Sequence, residues 1–172
     1  MKLRWVIGAG ATIGVAAVGA WLASAAGAPV PVVQPIPFNH RVHVKGEEMP
    51  CSDCHAAADQ ARAGLPDIRI CHECHKQPQG DDPSAAQMKV LEYGKARRQI
   101  PWVRVHALPG HVYFSHRAHV AFANMTCEEC HGDVGDRTEA VALPSPGLDS
   151  MSACMSCHAE RGASLECASC HK

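Results

Sequence analysis

Cysteine and histidine are the residues of this chain whose types and spacing can do chemistry. Every one of the ten cysteines belongs to a Cys-x-x-Cys-His pentad: Cys51-Ser-Asp-Cys54-His55, Cys71-His-Glu-Cys74-His75, Cys127-Glu-Glu-Cys130-His131, Cys154-Met-Ser-Cys157-His158 and Cys167-Ala-Ser-Cys170-His171. That spacing attaches a c-type haem, whose vinyl groups take thioether bonds from the two thiols while the adjacent imidazole swings beneath the ring to ligate iron. Two blander readings compete. Cys54 and Cys71 are separated by 16 residues, which fits paired Cys-x-x-Cys knuckles around zinc, and an exported chain can carry a disulfide scaffold. Neither needs a histidine directly after every second cysteine. With no cysteine left over, the pattern calls for five covalently bound haems, with His55, His75, His131, His158 and His171 as the proximal ligands.

Seven of the twelve histidines then remain: His40, His43, His72, His106, His111, His116 and His119. His40 and His43 belong to one Phe-x-His-x-x-His unit, and His116 and His119 to a second. Two imidazoles three apart on a helical turn share a face, so each unit can reach two neighbouring haems from the distal side. A neutral imidazole is the commonest metal ligand among side chains. The fifth distal ligand is less determined. His106 is the first choice, and Met151, three residues before Cys154, is its competitor, which would give a haem of higher potential. His111 lies close to the His116 unit and ranks behind both. His72, enclosed by two haem-binding cysteines, reads as a solvent-facing or hydrogen-bonding residue. Met49 and Met125, each two before a motif cysteine, read as packing residues.

The elements that must position these ligands repeat. Phe38-Asn-His-Arg-Val-His43-Val, followed by Met49 and the first motif, recurs 76 residues later as Phe114-Ser-His-Arg-Ala-His119-Val, followed by Met125 and the third motif; nine of eighteen aligned positions from Phe38 are identical. This is an internal duplication with two haems in the first half and three in the second. Between the halves, Ser84 to Gln99 is the best helix, capped by Asp82 or Ser84, with Met88 and Leu91 spaced for one buried face. Its basic end, Lys95, Arg97 and Arg98, complements the helix dipole. Strand-like alternation is scarce. The expected fold is therefore a multihaem cytochrome c of short helices and haem-wrapping loops with little strand.

Aromatic residues make up only 5% of the 172 residues, and two of the three tryptophans, Trp5 and Trp21, lie in the N-terminal apolar stretch. That is little bulk for a core of this length, so porphyrins must supply apolar volume and folding is expected to couple to haem attachment. The formal net charge of −1 offers no footprint for nucleic acid. Residues Val6 to Ala28 form an uncharged run of 23, preceded by Lys2 and Arg4 and followed by no charge until Arg41. Its length suits a transmembrane anchor, and the positive-inside rule puts the haem motifs on the extracytoplasmic side of a bacterial inner membrane. The alternative is a signal peptide cleaved near Ala23-Ser-Ala25. The domain reading is an anchor over 1–28, a Pro-rich linker over 29–37, a first haem module with a linking helix over 38–110 and a second module over 111–172.

The Phe-x-His-x-x-His unit before a Cys-x-x-Cys-His motif resembles the class III multihaem cytochromes c. That resemblance implies that the first histidine of each unit serves the next motif, His40 with His55 and His116 with His131, while His43 and His119 reach other haems. A likeness over nearly the whole chain rests on the N-terminal apolar helix, Pro-Ile-Pro-Phe38-Asn-His-Arg-Val-His43, Ile-Pro-Trp102-Val-Arg-Val-His106, Val-Tyr-Phe114-Ser-His-Arg-Ala-His119-Val and the terminal Cys-Ala-Ser-Cys-His-Lys172. It is similar to the membrane-anchored pentahaem subunit of alternative complex III, a quinol:electron-acceptor oxidoreductase. The resemblance implies an electron-transfer subunit that catalyses nothing by itself. Its implied partners are a polytopic subunit oxidising menaquinol, an iron–sulfur subunit, a monohaem cytochrome, and a periplasmic carrier or oxidase. Two other classes stay open: a self-sufficient membrane-anchored quinol dehydrogenase, and a free periplasmic shuttle.

Overall fold

A computed structural model of the chain describes residues 30–60, 62–148 and 150–172. The anchor expected over 1–28 lies outside the described residues, and among those described no helix is long and apolar enough to cross a membrane. Residues Val32–Lys172 form one compact unit. It is built from short helical turns joined by long loops, and among the described residues the extended pairing is a single antiparallel bridge between Val112 and His171.

Three of the helices start where a side chain satisfies an orphan N–H group of the first turn. Asp67 Oδ1 accepts from the Arg69 amide at 2.8 Å and opens Ile68–Cys74. Ser84 Oγ accepts from Gln87 at 3.2 Å and opens Ala85–Lys95; Ser150 Oγ accepts from Ala153 at 3.2 Å and opens Met151–Glu160. Of the two caps expected for the middle helix, Ser84 fills the position. That helix ends at Lys95 rather than Gln99 because Arg97 adopts φ 51°, and the Arg98 amide reaches back to the Tyr93 carbonyl at 3.0 Å. This is a left-handed C-terminal cap, which stops the helix a turn early. Leu91 is buried on it as expected, but Met88 is exposed, so the inward face is narrower than the spacing suggested.

Apolar burial is sparse. Ile36, Ile68 and Ile100 form the core cluster, with Cys71, Ala86, Val90, Tyr93 and Trp102 packed around it. Elsewhere among the described residues Leu91 and Met125 are buried, while Phe114, Phe122 (73% exposed) and Tyr113 are open to solvent. Helices Ile68–Cys74 and Ala85–Lys95 pack together over this cluster. The side chain of Gln34 ties three segments: its amide donates to the carbonyls of Val103 and Val141, and its Oε1 accepts from the Val103 amide. The turns Val42–Gly46 and Val134–Asp136 pack on one another, closed by Lys45–Asp136 at 3.7 Å and by the Arg41 amide on the Arg137 carbonyl at 3.0 Å.

Candidate haem-binding sites

One helical turn builds each motif. The amide of the motif histidine bonds to the carbonyl of the first cysteine at 2.9 Å in four cases: His55 to Cys51, His75 to Cys71, His131 to Cys127 and His171 to Cys167. The fourth motif lies inside Met151–Glu160. An α-turn puts residues i and i+3 on one side and i+4 beside them, so both thiols and the imidazole address one region. All ten cysteines are free thiols. Burial raises the pKa of Cys54, Cys71, Cys127 and Cys130 above the usual thiol value, with neighbouring cysteines and acidic side chains adding to it. Such thiols are not the ready thiolates of a redox catalyst. Among the described residues no group of three His, Cys, Asp or Glu side chains gathers as a metal-binding cluster.

The Phe-x-His-x-x-His units are π-helical turns, Val42–Gly46, entered through Arg41, and Arg117–Phe122, entered through His116. Both close in the same way: Glu47 amide to Val42 carbonyl and Met49 to His43 in the first, Ala123 to Ala118 and Met125 to His119 in the second, all between 3.0 and 3.1 Å. Wide π-turns recur at functional sites. Glu48 (φ 53°) and Asn124 (φ 57°) hold equivalent left-handed positions just before Met49 and Met125. The phenylalanine opening each unit lies under both of its histidines. Phe38 meets His40 edge-on at 4.8 Å and His43 face-on at 4.5 Å, and Phe114 meets His116 and His119 at 4.8 and 4.7 Å.

These turns aim imidazoles at motif imidazoles. Ring centroids are 6.2 Å apart for His43 and His75, 6.4 Å for His116 and His131, and 6.1 Å for His119 and His158. An iron bound about 2 Å from each imidazole nitrogen, with each ring centre about 1.1 Å further out, sets opposed centroids roughly 6.2 Å apart. All three pairs meet that spacing. His40 lies beside His55, whose charge ranks next to burial among the causes that lower His40 to about 4. Burial likewise lowers His75, helped by His43, and lowers His131, helped by His106 and His55. A lowered pKa keeps imidazole neutral, the form that ligates iron.

Hydrogen bonds fix the tautomer at four of these rings. Nδ1 of His43 pairs with the Asn39 carbonyl, of His119 with Ser115, of His55 with Gly64 and of His158 with Ser164, at 2.8 to 3.0 Å. A carbonyl only accepts, so Nδ1 carries the proton and Nε2 keeps its lone pair for a metal. Trp102 Nε1 is buried with no hydrogen-bond partner among the described residues, and the Trp102 ring lies edge-on to Phe38 at 6.2 Å. A carboxylate such as a haem propionate suits such a donor. The residues present fit haem.

The remaining ligand candidates separate clearly. His106 packs edge-to-face on His131 at 4.9 Å, closer than an interposed iron allows. Met151 is 63% exposed at the first turn of its helix. His72 lies on Gly94, where a Cβ would overlap the imidazole; it is half-buried against a helix rather than facing solvent. His111 stands against His171, with centroids 5.6 Å apart and ring planes 21° apart. Sequence reasoning ranked it low because it lies close to the His116 unit. The one available signal was arithmetic: two repeated units offer four histidines for five motifs, so a fifth candidate has to come from unduplicated sequence.

Neighbour relations order the motifs. Cys54 of the first lies close enough to act electrostatically on Cys71 of the second, and Cys51 of the first on Cys127 of the third. Cys157 and Cys154 of the fourth act on Cys130 of the third. Ser164 joins the fourth to the fifth, its carbonyl on His158 and its Oγ 2.9 Å from that of Ser169. The sequence of neighbours is second, first, third, fourth, fifth.

A family model of class III cytochrome c matches residues 19–100, and one of cytochrome c7 and related cytochrome c matches residues 112–172. The chain is also similar to the menaquinone reductase multiheme cytochrome c subunit of Nitratidesulfovibrio vulgaris, at 34% identity over 162 residues, covering 81% of this chain and 77% of the relative.

Proposed function

The chain belongs to the class III multihaem cytochromes c, and from that premise we propose that it is a pentahaem electron relay anchored in a respiratory or photosynthetic membrane complex. Covalent haems and electron transfer come with the family. The count of five rests on five Cys-x-x-Cys-His motifs that each close as a helical turn. Residues 1–28 serve as the anchor, 29–37 as the linker, 38–110 as a module for two haems and 111–172 as a module for three. The haem domain faces the extracytoplasmic side. Cys51, Cys54, Cys71, Cys74, Cys127, Cys130, Cys154, Cys157, Cys167 and Cys170 carry thioethers, and His55, His75, His131, His158 and His171 are the proximal ligands.

The observation that carries the relay is the three imidazole pairs at 6.1 to 6.4 Å. His43 serves the haem of His75, His116 that of His131 and His119 that of His158; His40 serves that of His55. Iron held on both faces has no position for substrate, so its chemistry is exchange of one electron between Fe(II) and Fe(III). The protein's part is to hold the imidazoles of His43, His55, His119 and His158 by Nδ1 and to bury those of His40, His75 and His131, which keeps the ligands neutral and tunes the potential. On the proposed relay, that motif order makes the second and fifth haems its two ends.

The complex we favour is alternative complex III, with electrons from menaquinol passing to a periplasmic carrier or oxidase. Its partners are the polytopic quinol-oxidising subunit, the iron–sulfur subunit and the monohaem cytochrome. A second reading reverses the current, because the relative is named for menaquinone reduction. Purification in mild detergent tests both. Co-elution with a polytopic membrane subunit, five haem additions by intact mass and reduction of the haems by menaquinol support the first reading. Menaquinone reduction by the dithionite-reduced complex, without the menaquinol reaction, moves the assignment to the second. A haem protein that elutes alone from the soluble fraction sinks both.

A further inference from the structure

The repeated units give four haems their second imidazole and leave the haem of the fifth motif without one. We propose that His111 is the distal ligand of the haem carried by Cys167, Cys170 and His171. The inference rests on the reading that this motif carries a haem.

The geometry is local and directed. His111 and His171 oppose each other at 5.6 Å, about half an ångström short of the spacing an iron imposes when each metal–nitrogen bond is about 2 Å. Both strands of the contact are fastened. Val112 forms an antiparallel bridge with His171, the Tyr113 amide donates to the Cys170 carbonyl at 2.7 Å, and the Lys172 amide donates to the His111 carbonyl at 3.1 Å. Lys172 Nζ also lies 5.2 Å over the Tyr113 ring, a cation–π contact that adds to the clamp. The backbone thus brings the two imidazoles together through main-chain bonds that do not depend on side-chain identity at the flanking positions.

The rivals are engaged elsewhere. His131, on which His106 packs at 4.9 Å, already faces His116 at 6.4 Å. Met151 is exposed on the helix of the fourth motif, and His72 is laid on Gly94. Ligation moves no electron: the neutral imidazole of His111 donates a lone pair to iron and keeps its second ring nitrogen protonated. The consequence is that the nine-residue segment from His111 to His119 supplies ligands to three haems, those of the fifth, third and fourth motifs in order. The fifth haem then matches the other four in ligand set, with no open position.

The test uses the full-length, haem-loaded protein with His111→Ala, His106→Ala and Met151→Ala. The expected result for His111→Ala is one high-spin haem of five by electron paramagnetic resonance, binding of one carbon monoxide per reduced chain, and return to low spin on adding imidazole. His106→Ala and Met151→Ala are expected to keep every haem low-spin. A fully low-spin His111→Ala protein, or a high-spin haem in either other variant, overturns the assignment. If His111→Ala does not accumulate, His111→Met decides: a far-red methionine–iron band and one haem of raised potential support the assignment, and an unchanged spectrum overturns it. Intact mass separates the underlying reading, since a wild-type chain with no haem on Cys167 and Cys170 overturns both.

Discussion

The two copies of the Phe-x-His-x-x-His unit agree in everything local and differ in what surrounds them. Both wind a π-turn, both place a phenylalanine 4.5 to 4.8 Å from two imidazoles, and both set the second histidine 6.1 to 6.2 Å from the histidine of the next motif but one. The first copy leans on a packed cluster through Phe38 and Trp102. The second has Phe114 and Phe122 exposed, with the Arg117 guanidinium 5.1 Å above the Phe122 ring. The lesson is that the local form of each histidine unit is specified within about eighteen residues, whereas the isoleucine cluster is built once, beside the first copy. The second module depends more heavily on porphyrin for its apolar interior.

That asymmetry can be attacked at several strengths. The largest effect is expected when haem attachment fails altogether: with so few buried apolar side chains, conformational entropy is not offset. A chain made without haem-attachment machinery should show coil-like circular dichroism and no cooperative melt; a compact apoprotein would refute coupled folding. Removing attachment from one module sharpens the contrast. Cys127→Ala with Cys130→Ala should cost more stability than Cys71→Ala with Cys74→Ala, measured by thermal melting of the remaining holoprotein, because the first module keeps its Ile36, Ile68 and Ile100 cluster.

Next come the ligands. His43→Ala and His119→Ala should each turn one haem high-spin, and the affected haems should be those of His75 and His158. In the background of Cys71→Ala and Cys74→Ala, His43→Ala should then create no high-spin haem, whereas His119→Ala still should. The reverse pattern would show that the units feed their haems differently.

Smaller effects test the packing. Phe38→Ala should cost about 2–3 kcal/mol and Phe114→Ala about 1 kcal/mol, on the scale of large-to-small changes weighted by their unequal burial. Equal losses in melting temperature would erase the asymmetry. The smallest effect concerns the caps. The Arg69 hydrogen bonds hold the Asp67 carboxyl at about 2, while the equivalent cap of the fourth-motif helix is Ser150, which does not titrate. A depressed carboxyl stabilises the fold above its unfolded pKa, and that help is lost as pH falls through about 2. Acid should therefore loosen the second motif before the fourth, read by the order in which haem spectra change; Asp67→Asn should remove that order.

The sequence was most legible where chemistry dictates spacing. Cys-x-x-Cys-His must form one turn to present two thiols and an imidazole together, so the motifs read directly, and the 76-residue repeat exposed the pairs His40/His43 and His116/His119. The Ser84 cap and the buried Leu91 were also readable, because capping and periodicity act over a few residues. Met88 was misplaced inward because a helix packed on one short neighbour buries a narrower stripe than its periodicity implies.

What sequence alone determined is the set of five Cys-x-x-Cys-His motifs, two before residue 100 and three after it, since both follow from spacing along one chain. Tertiary structure decided which unduplicated histidine stands opposite His171, that His106 rests on His131 instead, and that the motifs neighbour one another in the order second, first, third, fourth, fifth. Those are relations between segments distant in sequence. Main-chain pairing of residues 111–113 with the last three residues sets the first of them, and backbone hydrogen bonds of that kind leave no mark in side-chain type.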